Sequence, residues 1–349
     1  LKYFFVYIYK MKKVKANIYG SDTDPKKGVN NQYLTKPNAI SQPCLLMAVG
    51  VRNSGKSYAV SKIINEAQKD KTFDEIFICT PTMLSNMAYF GKHIPEQNVF
   101  EPTGDCIQKV LKRGEELRDE WEEFCQELKD YKEYISVMKS KNEFTDEQLY
   151  KYDEYGWLDG LPERPKWKYP KERPPQTCCI LDDILGSPAI LQSSGLQKCA
   201  TLNRHLFPIN PEYVDNGRTA CGLSVIICTQ TYKCQNGIGR VLRENLTHLM
   251  LIGKNKQPKQ LDTLTEELGG GIEPANFMRC YEQATKEKFG NLLIDFFPPC
   301  PTKQFRMNLN TYLVFAEDEK ECMCKKKPKQ LKMKEEKVVE EQLPKNSSK

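Results

Sequence analysis

No apolar run in this chain approaches the roughly 20 residues that a bilayer-spanning helix needs. The longest, Phe4–Tyr9, is short, lacks a small-residue cleavage site and runs into lysine-rich sequence. It fits neither an anchor nor a secretory leader. Met11 offers a more ordinary start than Leu1, so residues 1–10 are expected to be upstream read-through, outside the fold. Histidine is scarce too. His93, His205 and His248 stand too far apart for metal-ligand spacing. Paired cysteine spacing is missing, although there are 14 cysteines. Cys322 and Cys324 form one isolated Cys-x-Cys, with no second such pair or histidine nearby, which is a weak metal signal. Cys79, Cys178, Cys179 and Cys228 fall inside apolar runs, where thiols behave as small hydrophobes. An intracellular, reducing setting is therefore expected. No internal repeat is visible. An integral membrane protein, a collagen and a disulfide-built secreted mini-protein are excluded as classes.

What is present suits a globular chain. Its 349 residues allow one large domain or two ordinary ones, with 39% hydrophobic and 28% charged residues. The net charge of +6 is uneven: residues 1–40 carry +6, residues 325–349 carry +5, and the stretch between them carries −5. Basic ends can hold nucleic acid or an acidic partner, or can simply be solvated. Bulk charge does not decide between these.

Residues 11–44 are polar and turn-rich, as in an irregular arm. Strands are then expected at Leu45–Val49, Ile76–Cys79, Val99–Phe100, Cys178–Leu181, Leu223–Cys228, Leu249–Ile252 and Leu292–Phe296. They alternate with helical stretches, the first being Ser57–Lys69 with Val60, Ile63, Ile64 and Ala67 on one face. That alternation predicts an α/β fold, a mainly parallel central sheet flanked by helices. Residues 105–176 interrupt it. Leu117, Trp121, Phe124, Leu128, Tyr131, Ile135 and Met138 recur every three or four residues, an apolar stripe on one long helix. A proline-rich return, Gly156–Pro175, follows. The segment reads as a helical insertion, lying on the sheet domain or projecting toward a partner.

The segment Gly50-Val51-Arg52-Asn53-Ser54-Gly55-Lys56-Ser57 fits the phosphate-binding loop, G-x-x-x-x-G-K-[ST]. It follows an apolar strand and opens a helix, as the motif requires. Gly50 and Gly55 allow a tight fold around a phosphate, and the loop amides and helix end face the anion. Lys56 is expected to reach the β- and γ-phosphates of ATP, and Ser57 to ligate Mg²⁺. Tyr58 follows at the nucleotide. The run Thr177–Ile184 ends its apolar strand in Asp182 and Asp183. Asp182 is placed to hold the Mg²⁺ shell and Asp183 to orient or deprotonate water. A third strand ends in Thr229-Gln230, where Gln230 can sense the γ-phosphate or position water. Gly269–Gly271 reads as a helix stop, because no lysine follows.

These residues, taken in order, resemble a family. GVRNSGKS, CCILDDIL, Asn203–Leu206, LSVIICTQ, Arg240–Asn245 and Gln304–Asn308 look like the DNA-packaging ATPases of large eukaryotic DNA viruses and virophages, within the FtsK–HerA superfamily. The resemblance spans about residues 45–310, apart from the insertion. It implies a P-loop ATPase domain at 45–315, while composition adds an irregular arm at 1–44 and a Lys-rich, disordered tail at 316–349. It implies a ring-forming motor that drives double-stranded DNA into a preformed capsid, with capsid or portal partners and no membrane. The host cytoplasm, a viral factory or the virion would house it. Arg204, Arg240 and Arg243 become candidates for an arginine finger reaching a neighbouring subunit. The loop between His205 and Leu223 and the 105–176 insertion depart from the pattern. Another P-loop DNA motor, such as a helicase or DNA-transfer ATPase, and an ATP-dependent switch or scaffold of virion assembly stand as alternatives.

Overall fold

The structure, a computed structural model, describes residues 12–15, 33–34, 40–82, 88–140, 143–160, 162–214, 217–233, 238–254, 258–267 and 273–315. The Gly269–Gly271 run, the Cys322/Cys324 pair and the 316–349 tail lie outside the described residues. Among the described residues, no helix is long and apolar enough to cross a membrane.

Twelve strands are described: β1 Lys12–Lys15, β2 Tyr33–Leu34, β3 Ser41–Gln42, β4 Leu45–Val49, β5 Glu75–Cys79, β6 Val99–Phe100, β7 Thr177–Asp182, β8 Leu223–Thr229, β9 His248–Ile252, β10 Asn291–Asp295, β11 Phe305–Met307 and β12 Thr311–Val314. Ten form one sheet in the order β1-β12-β11-β10-β9-β4-β8-β7-β5-β6, and β2 pairs with β3 in a small second sheet. From β9 to β6 every pairing is parallel. From β9 outward through β10, β11, β12 and β1 every pairing is antiparallel.

The parallel strands are buried on both faces, so they read as unbroken apolar runs. In β4, Leu45, Met47 and Val49 enter one core, while Leu46 and Ala48 enter the other. Helix α1, Lys56–Lys69, covers the second face with Ala59, Val60, Ile63, Ile64 and Ala67. Helix α2, Cys106–Ser140, covers the first face with Cys106, Ile107, Val110 and Leu111. Helix α3 is Asp146–Glu154, α4 Ser194–Leu202, α5 Arg240–Glu244, α6 Pro258–Glu267 and α7 Pro274–Ala284.

The described elements differ from the sequence expectation in two places. The 11–44 arm is not wholly irregular: Lys12–Lys15 pairs with β12, and Ile40 through Cys44 are buried. The apolar stripe of α2 serves two partners. Leu117, Trp121 and Phe124 are buried on the domain core, where Trp121 and Phe124 pack around Trp167 with ring centroids 5.1 and 5.3 Å away. Farther along, the buried positions shift to Asp130 and Tyr134, and Met138 is exposed. A repeat averaging 3.5 residues drifts around a 3.6-residue helix. The distal face therefore meets α3 and the segment after it, through Tyr134, Tyr152 and Trp157. Asp130, buried there, accepts from Gln126 at 2.9 Å, Lys151 at 2.7 Å and Tyr155 at 3.1 Å.

Candidate functional site

Three strand tips form the site, and the sheet order brings them side by side. β8 lies between β4 and β7. Its register sets Thr229 opposite Val49 and Cys228 opposite Asp182. Parallel strands end at one edge of the sheet, so the phosphate loop after β4, the Thr229-Gln230 tip and the Asp182-Asp183 tip share that edge. The Gly50 amide donates to the Thr229 carbonyl at 3.0 Å, which ties loop to tip.

The loop is tight. A Cβ on Gly50 would stand 2.5 Å from Ser54 Oγ and 3.0 Å from the Ile252 carbonyl. Asn53 and Gly55 both take left-handed backbone, with φ of 61° and 92°. Lys56 Nζ donates back to the Gly50 carbonyl at 2.8 Å. Helix α1 begins with no side-chain cap and no acidic residue in its first turn. Its amides and positive end are thus open to an anion. Ser54 Oγ is buried without a hydrogen-bond partner. A triphosphate fits this cradle: it supplies acceptors where the loop has donors and where side chains are excluded. Arg52 and Tyr58 are exposed beside it.

Asp182 is buried and Asp183 half-buried. Asp183 has φ 53°, the left-handed region that costs a non-glycine residue about 1 kcal/mol or more. Gln230 Nε2 donates to Asp183 Oδ1 at 3.2 Å. Burial pushes the Cys228 thiol far up; the Asp182 carboxylate adds to this and the Lys56 ammonium opposes it. Ser57 and Asp182 offer hard oxygen donors, the set Mg²⁺ prefers.

The three arginines are placed differently. Arg204 follows α4 next to Asn203, whose carbonyl accepts from the Leu223 amide at the start of β8. The seven residues of β8 separate that point from the tips by about 20 Å. Arg240 is exposed and pairs with Glu244 at 2.5 Å. Arg243 is held within its own chain: it donates to Glu267 at 2.9 and 3.1 Å and to the Ile238 carbonyl at 2.6 Å, over the Tyr232 ring. Presenting it to a neighbouring subunit requires breaking those bonds. Sequence reasoning missed Phe289, whose ring abuts Gly55: a Cβ there would stand 3.1 Å from Phe289 Cδ1. No motif or periodicity marks that position.

No family model matches the sequence, and no curated protein matches it. Among solved structures, the genome packaging NTPase B204 from Sulfolobus turreted icosahedral virus 2, in complex with ATP-γS, is similar at 12% identity and a TM-score of 0.39, over 76% of this chain and 95% of that one. The conjugation coupling protein TcpA of pCW3 with ATPγS is similar at 13% identity and 0.41, over 87% and 71%. EssC (ATPases 2 and 3) from Geobacillus thermodenitrificans is similar at 11% identity and 0.41, over 86% of this chain and 46% of that one.

Proposed function

We propose that this chain is an ATP-hydrolysing motor that translocates double-stranded viral DNA into a preformed capsid. The observation that carries the ATPase part is the alignment of three strand tips, with Gln230 bonded to Asp183 beside the phosphate loop. The loop amides and Lys56 bind and orient the triphosphate. Asp183 accepts the proton of the attacking water, and the Gln230 amide fixes that carboxylate's orientation. Ser57 and Asp182 would hold Mg²⁺, which supplies positive charge at the β- and γ-phosphates. Nearly all the work is positioning and charge stabilisation, because phosphoryl transfer asks little covalent chemistry of the protein.

DNA as the track, a homo-oligomeric ring and capsid or portal partners are supported by the sequence resemblance, chiefly the Asn203–Leu206 segment, the Thr229-Gln230 strand end and the Arg240–Asn245 segment. Exposed Arg240, paired only with Glu244 in the bonds described, has fewer to break than Arg243 before reaching a neighbour's nucleotide. The test is ATP hydrolysis by the purified chain with and without duplex DNA, using Asp183→Asn as the blank. Hydrolysis that rises with duplex DNA and vanishes in the variant supports the motor. Hydrolysis indifferent to DNA overturns the translocase for the isolated chain and favours an ATP-dependent switch in virion assembly.

A further inference from the structure

The far end of the helical insertion carries a face that its own chain leaves open to solvent. In α3, Tyr152 turns inward and is fully buried, while Tyr150, nearly opposite it on the helix, is 79% exposed. Asp146 and Glu147 stand four and three residues before Tyr150, and Asp153 and Glu154 three and four after it, so all four carboxylates share its face. We propose that this face is an interface between copies of this chain, and that it receives the lysine-rich segment 325–334 of a neighbouring copy. The proposal does not depend on the nucleotide chemistry.

Two features mark the face as a docking surface. Of the eleven large apolar side chains exposed among the described residues, Met138, Leu149, Tyr150, Tyr155 and Leu158 fall on this one projection. Single exposed apolar residues need no explanation, but five gathered on one projection do. Residues 143–160 also hold six acids, all exposed, and a single lysine, Lys151, which is spent on buried Asp130 at 2.7 Å. None of the six acids forms an ion pair among the described residues. Asp153 and Glu154 end α3, where the helix dipole disfavours negative charge. Cations brought from outside relieve both the dipole and the mutual repulsion.

Charge and reach set the occupant. Residues 325–334 carry six lysines and no acid, the densest lysine run of the sequence, with Leu331 and Met333 among them. The ammonium groups match the carboxylates, the apolar pair matches the exposed apolar groups, and a lysine over the Tyr150 ring adds a cation–π contact. Reach argues for a neighbour. Cys106, at the start of α2, is within hydrogen-bond reach of Cys79 at the end of β5, while Arg113 pairs at 2.7 Å with Glu75 at the beginning of β5. Helix α2 therefore runs against β5 and continues beyond the sheet, away from the phosphate loop. β12 finishes at that same end: Asp295 is opposite His248, the first residue of β9, Ile294 opposite Phe305, and Phe305 opposite Leu313. Side to side, however, β12 and β5 are seven strand spacings apart, about 34 Å. Tyr152 of α3 packs on Tyr134, which lies about 32 Å along α2 from Arg113. To cover both legs within one chain, the stretch from Phe315 to Lys327 would have to be drawn out to its full length of about 43 Å. A relaxed stretch of that length spans only about 20 Å. That suits a copy whose β5 side is set against this β12 side, a head-to-tail contact of the kind that closes into rings or runs on as filaments.

The experiment is zero-length carbodiimide cross-linking of the full chain, in an equal mixture of isotopically heavy and light protein, read by peptide mass spectrometry. Amide links are expected between lysines of 325–334 and acids of 143–159, with mixed heavy–light pairs as abundant as like pairs. They should vanish in about 1 M salt, where the Debye length is about 3 Å. Self-association is followed beside this by analytical ultracentrifugation. Joint replacement Lys325→Gln, Lys326→Gln and Lys327→Gln is expected to weaken it about tenfold, the sum of several exposed pairs. Asp153→Asn with Glu154→Gln should do the same and, at exposed positions at a helix end, should not lower Tm. Links confined to like pairs overturn the contact between copies and make the segment a strap within one chain. Links from these acids to other lysines alone, self-association unmoved by both sets of substitutions, or a chain that stays monomeric at every concentration overturns the proposal.

Discussion

The Gln230 side-chain amide donates to Asp183 Oδ1 at 3.2 Å, linking the tips of two adjacent strands. Asp183 is kept in a left-handed conformation, where its carboxylate is turned toward that neighbour. On the proposed reading, in which Asp183 orients the attacking water, this bond makes the acid's position depend on the strand tip beside the loop.

Gln230→Ala should lower kcat for ATP by about tenfold or more while leaving nucleotide affinity within about twofold. The lost interaction acts on positioning and not on ground-state binding. Steady-state kinetics beside calorimetric binding separates the two. A variant that loses affinity and keeps kcat contradicts this role. Asp183→Asn should cost about 10²-fold or more, the ordinary worth of a general base.

Gly50→Ala should abolish nucleotide binding and lower Tm. The new methyl meets Ser54 Oγ and the Ile252 carbonyl at once, and the carbonyl is backbone that cannot step aside. Overpacking of this kind costs about 1–3 kcal/mol. A fluorescent ATP analogue and a thermal melt read both effects, and normal affinity would refute the tight cradle.

Acid sensitivity should appear at Glu267. Burial raises its carboxyl, but hydrogen bonds from Arg243 and Tyr232 outweigh that and hold it below the ordinary glutamate value. A depressed acid contributes stability that is fully present above its unfolded pKa and is lost as pH falls through the folded one. Glu267→Gln should therefore lower Tm at pH 7, and the gap to wild type should close as pH drops below 4.5. A gap that stays constant down to about pH 3 refutes this linkage.

The two halves of α2 should respond differently to truncation. Trp121→Ala removes a ring buried on the domain core and should cost about 3–5 kcal/mol of global stability. Tyr134→Ala disturbs only the satellite cluster with Tyr152 and Trp157. It should speed hydrogen exchange in residues 128–158 and leave ATP hydrolysis unchanged. Loss of hydrolysis in Tyr134→Ala would tie the projection to catalysis.

Much of the site was legible because its strands announce themselves. β4, β7 and β8 are apolar runs that stop abruptly at glycine, aspartate and glutamine, so the strand ends and the polar tips were read together. The α2 stripe was legible as a helix and not as two interfaces, because the distal partner changes faces at Asp130 and Tyr134. Asp130 looks like a solvated charge; only the fold supplies Gln126, Lys151 and Tyr155 to it. The antiparallel edge was hidden by brevity and by Arg306. An arginine in a three-residue strand reads as surface, yet it is buried opposite Tyr312, with its guanidinium 4.9 Å over that ring. Phe289 carries no pattern at all, since what matters is the turn that sets its ring against Gly55.

The position of β4 has a consequence for how the chain is made. Residues 45–49 are synthesised early, but both flanking strands come from far downstream, residues 223–229 and 248–252. Contacts of such sequence separation close slowly and late in folding. Until Thr229 is available to accept from Gly50, nothing at that tip anchors the loop. A nascent chain, or one clipped before Leu223, therefore carries the whole Gly50–Ser57 signature and no working cradle. On the proposed reading, competence to handle nucleotide waits for residues 223–252, so a nascent chain that stops short of them would be inert and would not be a runaway hydrolase.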